Sequence, residues 1–179
     1  MSLIDEHCCP GESSGGEQGP VLDVELLALA ILNPDHWRPQ PGGAVSTLSY
    51  SAIGEKDIKG ALDSDGRKRG VSFERSERCQ ADWLLDRMRR LTGSDDPALA
   101  LGYASALRAI LTPSGCREVC VHAEPTGDED YLGPSASHGV VRASPQKVPP
   151  PNGASWLQLR HQVAKSFHAA IRLASGNPA

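Results

Sequence analysis

Glycine and proline interrupt this chain so often that no helix or strand in it can run long. Eighteen glycines and fourteen prolines are spread over 179 residues. Glycine leaves regular structure through its left-handed freedom, and proline through its missing N–H. The longest apolar stretch, Val21 to Leu32, is itself interrupted by Asp23 and Glu25. It is too short to cross a bilayer, which takes about 20 apolar residues. The expectation is one domain of short elements and long loops, without a membrane span. Aromatic residues make up only 4% of the chain, so leucine, valine and alanine must build the core.

Within those limits the periodicities predict eight elements. Residues 1–20, glycine- and serine-rich and without an apolar residue from Pro10 to Gly19, are expected to be a disordered tail. Residues 21–179 form the domain. Val21–Asn33 reads as a broadly buried helix stopped by Pro34. Ala44–Ile53 alternates as a strand, "GEKDIKGALDSDGRKRG" as a polar loop, and "VSFERSE" as a second strand with Val71 and Phe73 on one face. Cys79–Leu91 is an amphipathic helix: Ala81, Leu84, Leu85, Met88 and Leu91 form one apolar stripe, with Ser76 as the cap and Gly93 as the stop. "SDDPALALGYASALRAIL" predicts a further buried helix, capped by Asp96 and charged only at Arg108. "CREVCVHAE" and "HGVVRA" read as strands, and 144–153 as a proline-rich linker. A final helix covers Ala154–Ser175. The order α-β-β-α-α-β-β-α implies an α+β domain, with a small, mostly antiparallel sheet of about four strands against three or four helices.

Charge is unevenly distributed. Residues 1–63 carry Asp5, Glu6, Glu12, Glu17, Asp23, Glu25, Asp35, Glu55, Asp57 and Asp63 against Arg38, Lys56 and Lys59. Residues 131–179 carry Arg142, Lys147, Arg160, Lys165 and Arg172 and no acid. Such asymmetry reflects internal pairing or a basic docking face. The net charge of −4 argues against general coating of nucleic acid. Five cysteines, an odd number, without a basic and apolar leader predict free thiols in a cytoplasmic protein.

Two helix faces carry the strongest binding signals. On the final helix His161, Lys165, His168 and Arg172 recur at i, i+4, i+7 and i+11, opposite Trp156, Leu159, Val163 and Phe167. This basic stripe would suit an acidic protein surface, phosphate or RNA. On the middle helix Trp83 lies opposite the apolar stripe, with Arg87 and Arg90 on its side, a composition typical of interface anchors. "GRKRG" (Gly66–Gly70) is a basic turn without the pattern of a phosphate-cradling loop.

The stretch from Cys116 to Val141 concentrates potential chemistry. His122 ends one predicted strand and His138 begins the next, so a hairpin would bring two imidazoles together for acid–base work on a phosphoester. Phosphoesterases with paired histidines carry a hydroxyl residue two positions after each; here Glu124 and Val140 occupy those places. Cys116 and Cys120, four apart on a strand, stand roughly 13 Å from one another, too far for one metal ion. The neighbouring Cys8 and Cys9 lack the spaced pair of a structural zinc site. Cys120 and His122 are about 7 Å apart along a strand, too far for a nucleophile–base bond. Asp128, Glu129 and Asp130 lack calcium-loop periodicity. The sequence therefore predicts no metal and no cofactor. It favours a non-catalytic accessory subunit that docks a protein partner in an intracellular assembly. Trp83, Arg87, Arg90, His161, Lys165, His168 and Arg172 are its candidate contacts, with nucleic acid a second possible partner of the basic helix. The alternative is a small phosphoester-directed enzyme or RNA-binding factor using His122 and His138, with arginines holding phosphate.

Overall fold

A computed structural model describes residues 6–38, 47–95, 97–127 and 132–172. The fold is α+β, as the periodicities require. Its centre is a six-stranded antiparallel sheet in the order β6-β7-β4-β1-β5-β8. The strands are β1 (Leu26–Ile31), β4 (Val71–Arg75), β5 (Ala98–Tyr103), β6 (Val119–Ala123), β7 (His138–Ala143) and β8 (Ala169–Arg172). A separate pair, β2 (Trp37–Arg38) and β3 (Thr47–Leu48), forms a second small sheet.

The two central strands overturn two helix expectations. Val21–Asn33 contains β1 rather than a helix, and "ALALGY" is β5, followed only by the short helix α3 (Ala104–Arg108). Both stretches are apolar on either side because both faces of the sheet are covered there, and two-sided burial removes the polar alternation that marks a strand. Their pairing explains the leucine–alanine sequence. The register sets Ala28 opposite Leu101, Ala30 opposite Leu99, Leu29 opposite Ala100, and Leu27 opposite Gly102. Each face thus alternates large against small, and the layers above and below interlock. Gly102 marks the closest approach: a Cβ there would lie 2.3 Å from the Ser166 carbonyl oxygen.

One face packs against α3, α4 (Trp156–Ser166), the single-turn α1 (Glu55–Ile58) and the 3-10 turn Tyr50–Ala52, around Leu27, Phe73, Val121, Val141, Leu107, Leu159 and Phe167. The other face meets α2 (Ala81–Thr92), whose Leu84, Met88 and Leu91 lie on Ala28, Leu99 and Leu101. The predicted stop holds, and so does the stripe at Leu84, Met88 and Leu91, while Ala81 is exposed; Gly93 closes α2 in the left-handed conformation at φ 63°. The cap is Gln80, because Ser76–Arg78 makes its own 3-10 turn first. In the region expected to be the strand Ala44–Ile53 only Thr47–Leu48 pairs, the chain then turning through Tyr50–Ala52; Ala44 to Ser46 lie outside the described residues. The same holds for Asp96, for Asp128 to Asp130 and for everything beyond Arg172. The hairpin strands β6 and β7 form where the alternation predicts them.

The final helix begins with a reciprocal Ser155–Gln158 capping box and ends at Ser166. Phe167 leaves helical geometry, enters the core, and lets Ala169–Arg172 pair with β5 as β8. The expected helix Ala154–Ser175 therefore stops at Ser166, and Ala169–Arg172 is strand instead. Helical periodicity in its second half is outweighed by the backbone bonds that the β5 edge offers.

Residues 6–20, expected to be disordered, are held by charge and by sulfur: the stretch around Cys8–Glu12 lies at the β6 edge, and the carbonyls of residues 18–20 meet Arg75 and Arg78. Glu12 is fully buried and pairs with Arg108 (3.2 Å) and Arg117 (2.7 Å). Arg108 also reaches Asp23 (2.7 Å) and the Val21 carbonyl (2.8 Å). Arg75 binds both oxygens of Glu25 and donates to the carbonyls of Gly19 (2.7 Å) and Pro20 (3.0 Å). Glu12, Asp23 and Glu25 of the acid-rich start are thus neutralised internally by Arg75, Arg108 and Arg117. Disulfides join Cys8 to Cys116 and Cys9 to Cys120, in place of the free thiols expected; Cys79 is free. Adjacent cysteines gave no sign of this because their partners lie 108 and 111 residues away.

Candidate functional site

The helix α2 covers the outer face of the sheet only over β1 and β5. On the other half of that face, alternation and register place Ser72 and Glu74 of β4, His138, Val140 and Arg142 of β7, and Cys120 and His122 of β6. A groove of about 590 Å³ opens here. Ala28, Ala30, Ser72 and Val140 contribute to its floor. Met88 and Leu91 of α2 form one wall, and Arg67, Lys68 and Glu124 the opposite side. Ser72 stands exposed between buried Val71 and Phe73, a polar side chain in mid-strand directed into this opening.

The groove is rooted in a buried charge pair. Arg87 Nε lies 2.9 Å from Glu74 Oε1, both side chains 3% exposed. The hydroxyls of Ser135 and Ser137 donate to Glu74 Oε2 at 2.9 and 2.7 Å. Arg87 also donates to the carbonyls of Leu132 (3.1 Å) and Gly133 (3.0 Å), which ties α2 to the loop that closes one end. At the other end Arg142 grips Glu124 and donates to the Arg69 and Lys68 carbonyls at 2.7 Å each, fixing the basic turn above the sheet. Arg69 itself pairs with Asp57 at 2.7 Å. Asp63 accepts the N–H groups of Asp65 and Arg67, an Asx turn that shapes the same loop.

His138 enters the groove. Its Nδ1 is 2.7 Å from the Glu124 carbonyl oxygen. A carbonyl only accepts, so Nδ1 carries a proton. His122 is on the same face of the sheet, opposite Val140 and diagonal to His138. Diagonal positions of an antiparallel pair lie about 7–8 Å apart. The orientation that acid–base pairing needs is present, but the shared opening is not: the groove is lined by His138 and not by His122. His122 is half-buried beside Gly11, and its pKa is held below 6.5, first by burial and then by the charge of Arg142, against the opposing pull of Glu12 and Glu124.

A pH dependence follows. The unfolded chain takes up a proton at His122 near pH 6.5, before the folded protein does. The stability its neutral form contributes is present above that pH and is lost as pH falls from there through the folded value. Stability measured by urea unfolding should begin to decline just below pH 6.5 in the wild type, and His122→Asn should flatten that part of the curve. An unchanged slope in the variant would remove His122 as the cause.

The other candidate contacts are dispersed. Arg87 is buried rather than displayed, and its guanidinium stacks on Trp83 at 5.4 Å. Arg90 pairs along its own helix with Asp86 at 2.7 Å. Trp83, half-buried, lines a small cleft of about 270 Å³ with Cys79, Pro134 and Ser137. The loop that covers this helix face lies some forty residues on in sequence, about residues 132–137, and periodicity within α2 carries no sign of it. Cys79 is a weak thiolate former: burial, and then Glu74, push its thiol up. The basic stripe is divided by the end of α4. His161 and Lys165 remain exposed on the helix, where they line a shallow opening of about 560 Å³ with Gln158, Gln162 and Asn152; the His161 ring packs on Tyr50 at 4.2 Å. His168 lies beyond the helix against Tyr103 at 6.0 Å, and Arg172 belongs to β8. Among the described residues no group of three or more His, Cys, Asp or Glu could hold a metal ion, and no helix is long and apolar enough to cross a membrane.

Sequence reasoning missed Ser72, Glu124 and the buried Glu74–Arg87 root. Ser72 carried a usable signal, a hydroxyl between two core residues of a strand. Glu74 and Arg87 did not, because each is an ordinary surface residue type until the other is folded against it. A scan against protein-family models, a search of curated proteins and a search of solved structures each return no match for this chain.

Proposed function

We propose that this protein works by binding, as a non-catalytic accessory subunit that docks a protein partner, and that the partner enters the groove on the open half of the outer sheet face as an extended segment. The observation that supports this is the floor. Ser72 is small and exposed, with the partly buried Ala30 beside it, so a polypeptide backbone can lie directly over the sheet between an apolar wall of α2 and a charged wall at Arg67, Lys68 and Glu124. The strongest charges beneath are already committed to Glu74–Arg87 and Glu124–Arg142. That arrangement suits holding a chain better than proton transfer.

The test is steric. Ser72→Trp fills the groove from an exposed position, so the fold should persist while affinity for the co-purifying partner falls at least about tenfold, the equivalent of about 1.4 kcal/mol. Lys165→Glu, on the separate opening beside His161, serves as the comparison. Recovery of the same partner by the Ser72→Trp protein, with loss on Lys165→Glu, would move the docking surface to α4. A second reading, a phosphoester-directed or RNA-binding role, draws on His138 lining the same groove as Arg67 and Lys68. Nucleic acid that co-purifies and is released steeply by salt would favour it.

A further inference from the structure

The edge strand β6 is covered by a segment that has little apolar surface of its own to hold it there. Val121 points its N–H away from β7, toward the outside of the sheet, and Glu12 Oε1 accepts it at 2.7 Å. The Ser144 hydroxyl donates to the Cys8 carbonyl at 2.6 Å. Residues 10–19, "PGESSGGEQG", contain no aliphatic or aromatic side chain apart from the proline ring. Ordering them therefore has almost no hydrophobic return to set against the conformational entropy it removes. Besides these polar contacts and those of Arg75 and Arg78 with the backbone of residues 18–20, the attachment is covalent, through consecutive cysteines to Cys116 and Cys120. Cys8, Cys9 and Cys120 pack as one buried cluster with the partly buried Cys116 beside them.

We propose that Cys8, Cys9, Cys116 and Cys120 form a reversible thiol–disulfide site, at which a small thiol reductant unlatches residues 6–20 from the β6 edge and uncovers His122. Cys116 is the partly exposed residue of the four, since Cys8, Cys9 and Cys120 are each under 5% exposed, and its sulfur is the one a reductant reaches first. A reductant thiolate, RS⁻, attacks Cys116 Sγ; the S–S bond breaks and its electron pair leaves on Cys8 Sγ, which takes a proton. A second thiolate attacks the mixed disulfide, giving RSSR and the Cys116 thiolate, which is protonated in turn. Two RSH are oxidised to RSSR, and two electrons and two protons end on the cysteine pair. The same exchange at Cys9–Cys120 follows once the first bridge is open and the segment can move. Polar contacts then hold the segment, those of Glu12, of Ser144 with the Cys8 carbonyl and of Arg75 with the Gly19 and Pro20 carbonyls, all bonds that water can replace.

The experiment is hydrogen exchange with mass spectrometry on the full chain, first oxidised and then equilibrated in glutathione buffers of stepped ratio. Thiol labelling follows the four cysteines in the same samples. The expected result is that exchange in the β6 peptide accelerates at least about tenfold on reduction, that residues 6–20 become open to protease, and that β1, β5 and α2 keep their protection. Three results would overturn the proposal. The β6 peptide exchanges alike in both states, so that Glu12 suffices. All peptides accelerate together, so that the bridges are global staples. Or the reduced protein keeps its cover by binding stoichiometric zinc. Cys9→Ser/Cys120→Ser, which leaves Cys8–Cys116 in place, should remain covered until reductant is added and then open in one step.

Discussion

Glu12→Ala is expected to destabilise the protein by about 3–5 kcal/mol, the cost of leaving buried charge without its partner. The carboxylate is fully buried and makes three polar contacts: the Val121 N–H at 2.7 Å, Arg117 at 2.7 Å and Arg108 at 3.2 Å. Arg108 retains Asp23, but Arg117, nearly as deep, loses its carboxylate, and an edge N–H loses its acceptor. Glu12→Gln keeps the shape and an oxygen for Val121, so its loss should be smaller. Denaturant unfolding of the oxidised proteins measures both. A Glu12→Ala protein within about 0.5 kcal/mol of wild type, the range of ordinary surface substitutions, would mean that residues 6–20 do not contribute to the folded domain.

The second large effect separates a structural from a docking role for α2. Arg87→Met should also cost about 3–5 kcal/mol, because Glu74 would stay buried with only the Ser135 and Ser137 hydroxyls. Adding Glu74→Gln to that background should recover a substantial part, since the neutral amide no longer needs a counter-charge. The double-mutant cycle then reports a coupling well above that of an exposed pair. Were Arg87 an interface anchor, its removal would leave stability untouched and affect binding alone. Additive single and double variants would separate Arg87 from Glu74.

Glu25 gives the acid side of the same physics. Its burial alone pushes the carboxyl pKa up, but the hydrogen bond from Arg75, the Leu22 N–H and the charges of Arg75 and Arg78 outweigh that and leave it below 4.5. Its contribution is therefore complete above the ordinary glutamate range and is lost as pH falls through the folded value. The clamp on residues 18–25 should hold at neutral pH and open in acid.

What could be read from the residues follows a single physical division. Elements with polar residues on one face announced themselves: β4 through Val71 and Phe73 alternating with Ser72 and Glu74, β6 and β7 through their alternation, and α2 through its stripe and terminal Gly93. A half-buried surface writes its period into the chain. β1 and β5 did not, because covering both faces makes a strand as uniformly apolar as a buried helix. Likewise the final helix kept a helical period past Ser166, while pairing with β5 decided that Ala169–Arg172 would be strand.

The candidate site divides in the same way. The amino-acid sequence by itself determined the α+β class, the β6–β7 hairpin and the placing of His122 and His138 on facing ends of its two strands, since all of these rest on local periodicity. Only the tertiary structure decided which charges were surface and which were core. Arg87, Arg75 and Arg108 are buried because Glu74, Glu25 and Glu12 come to meet them from up to 96 residues away. It also decided that Cys8 and Cys9 are bridged, and that His138 faces an open groove while His122 lies covered. Pairing across such separations depends on how the strands are ordered in the sheet, and no local pattern of residues records that order.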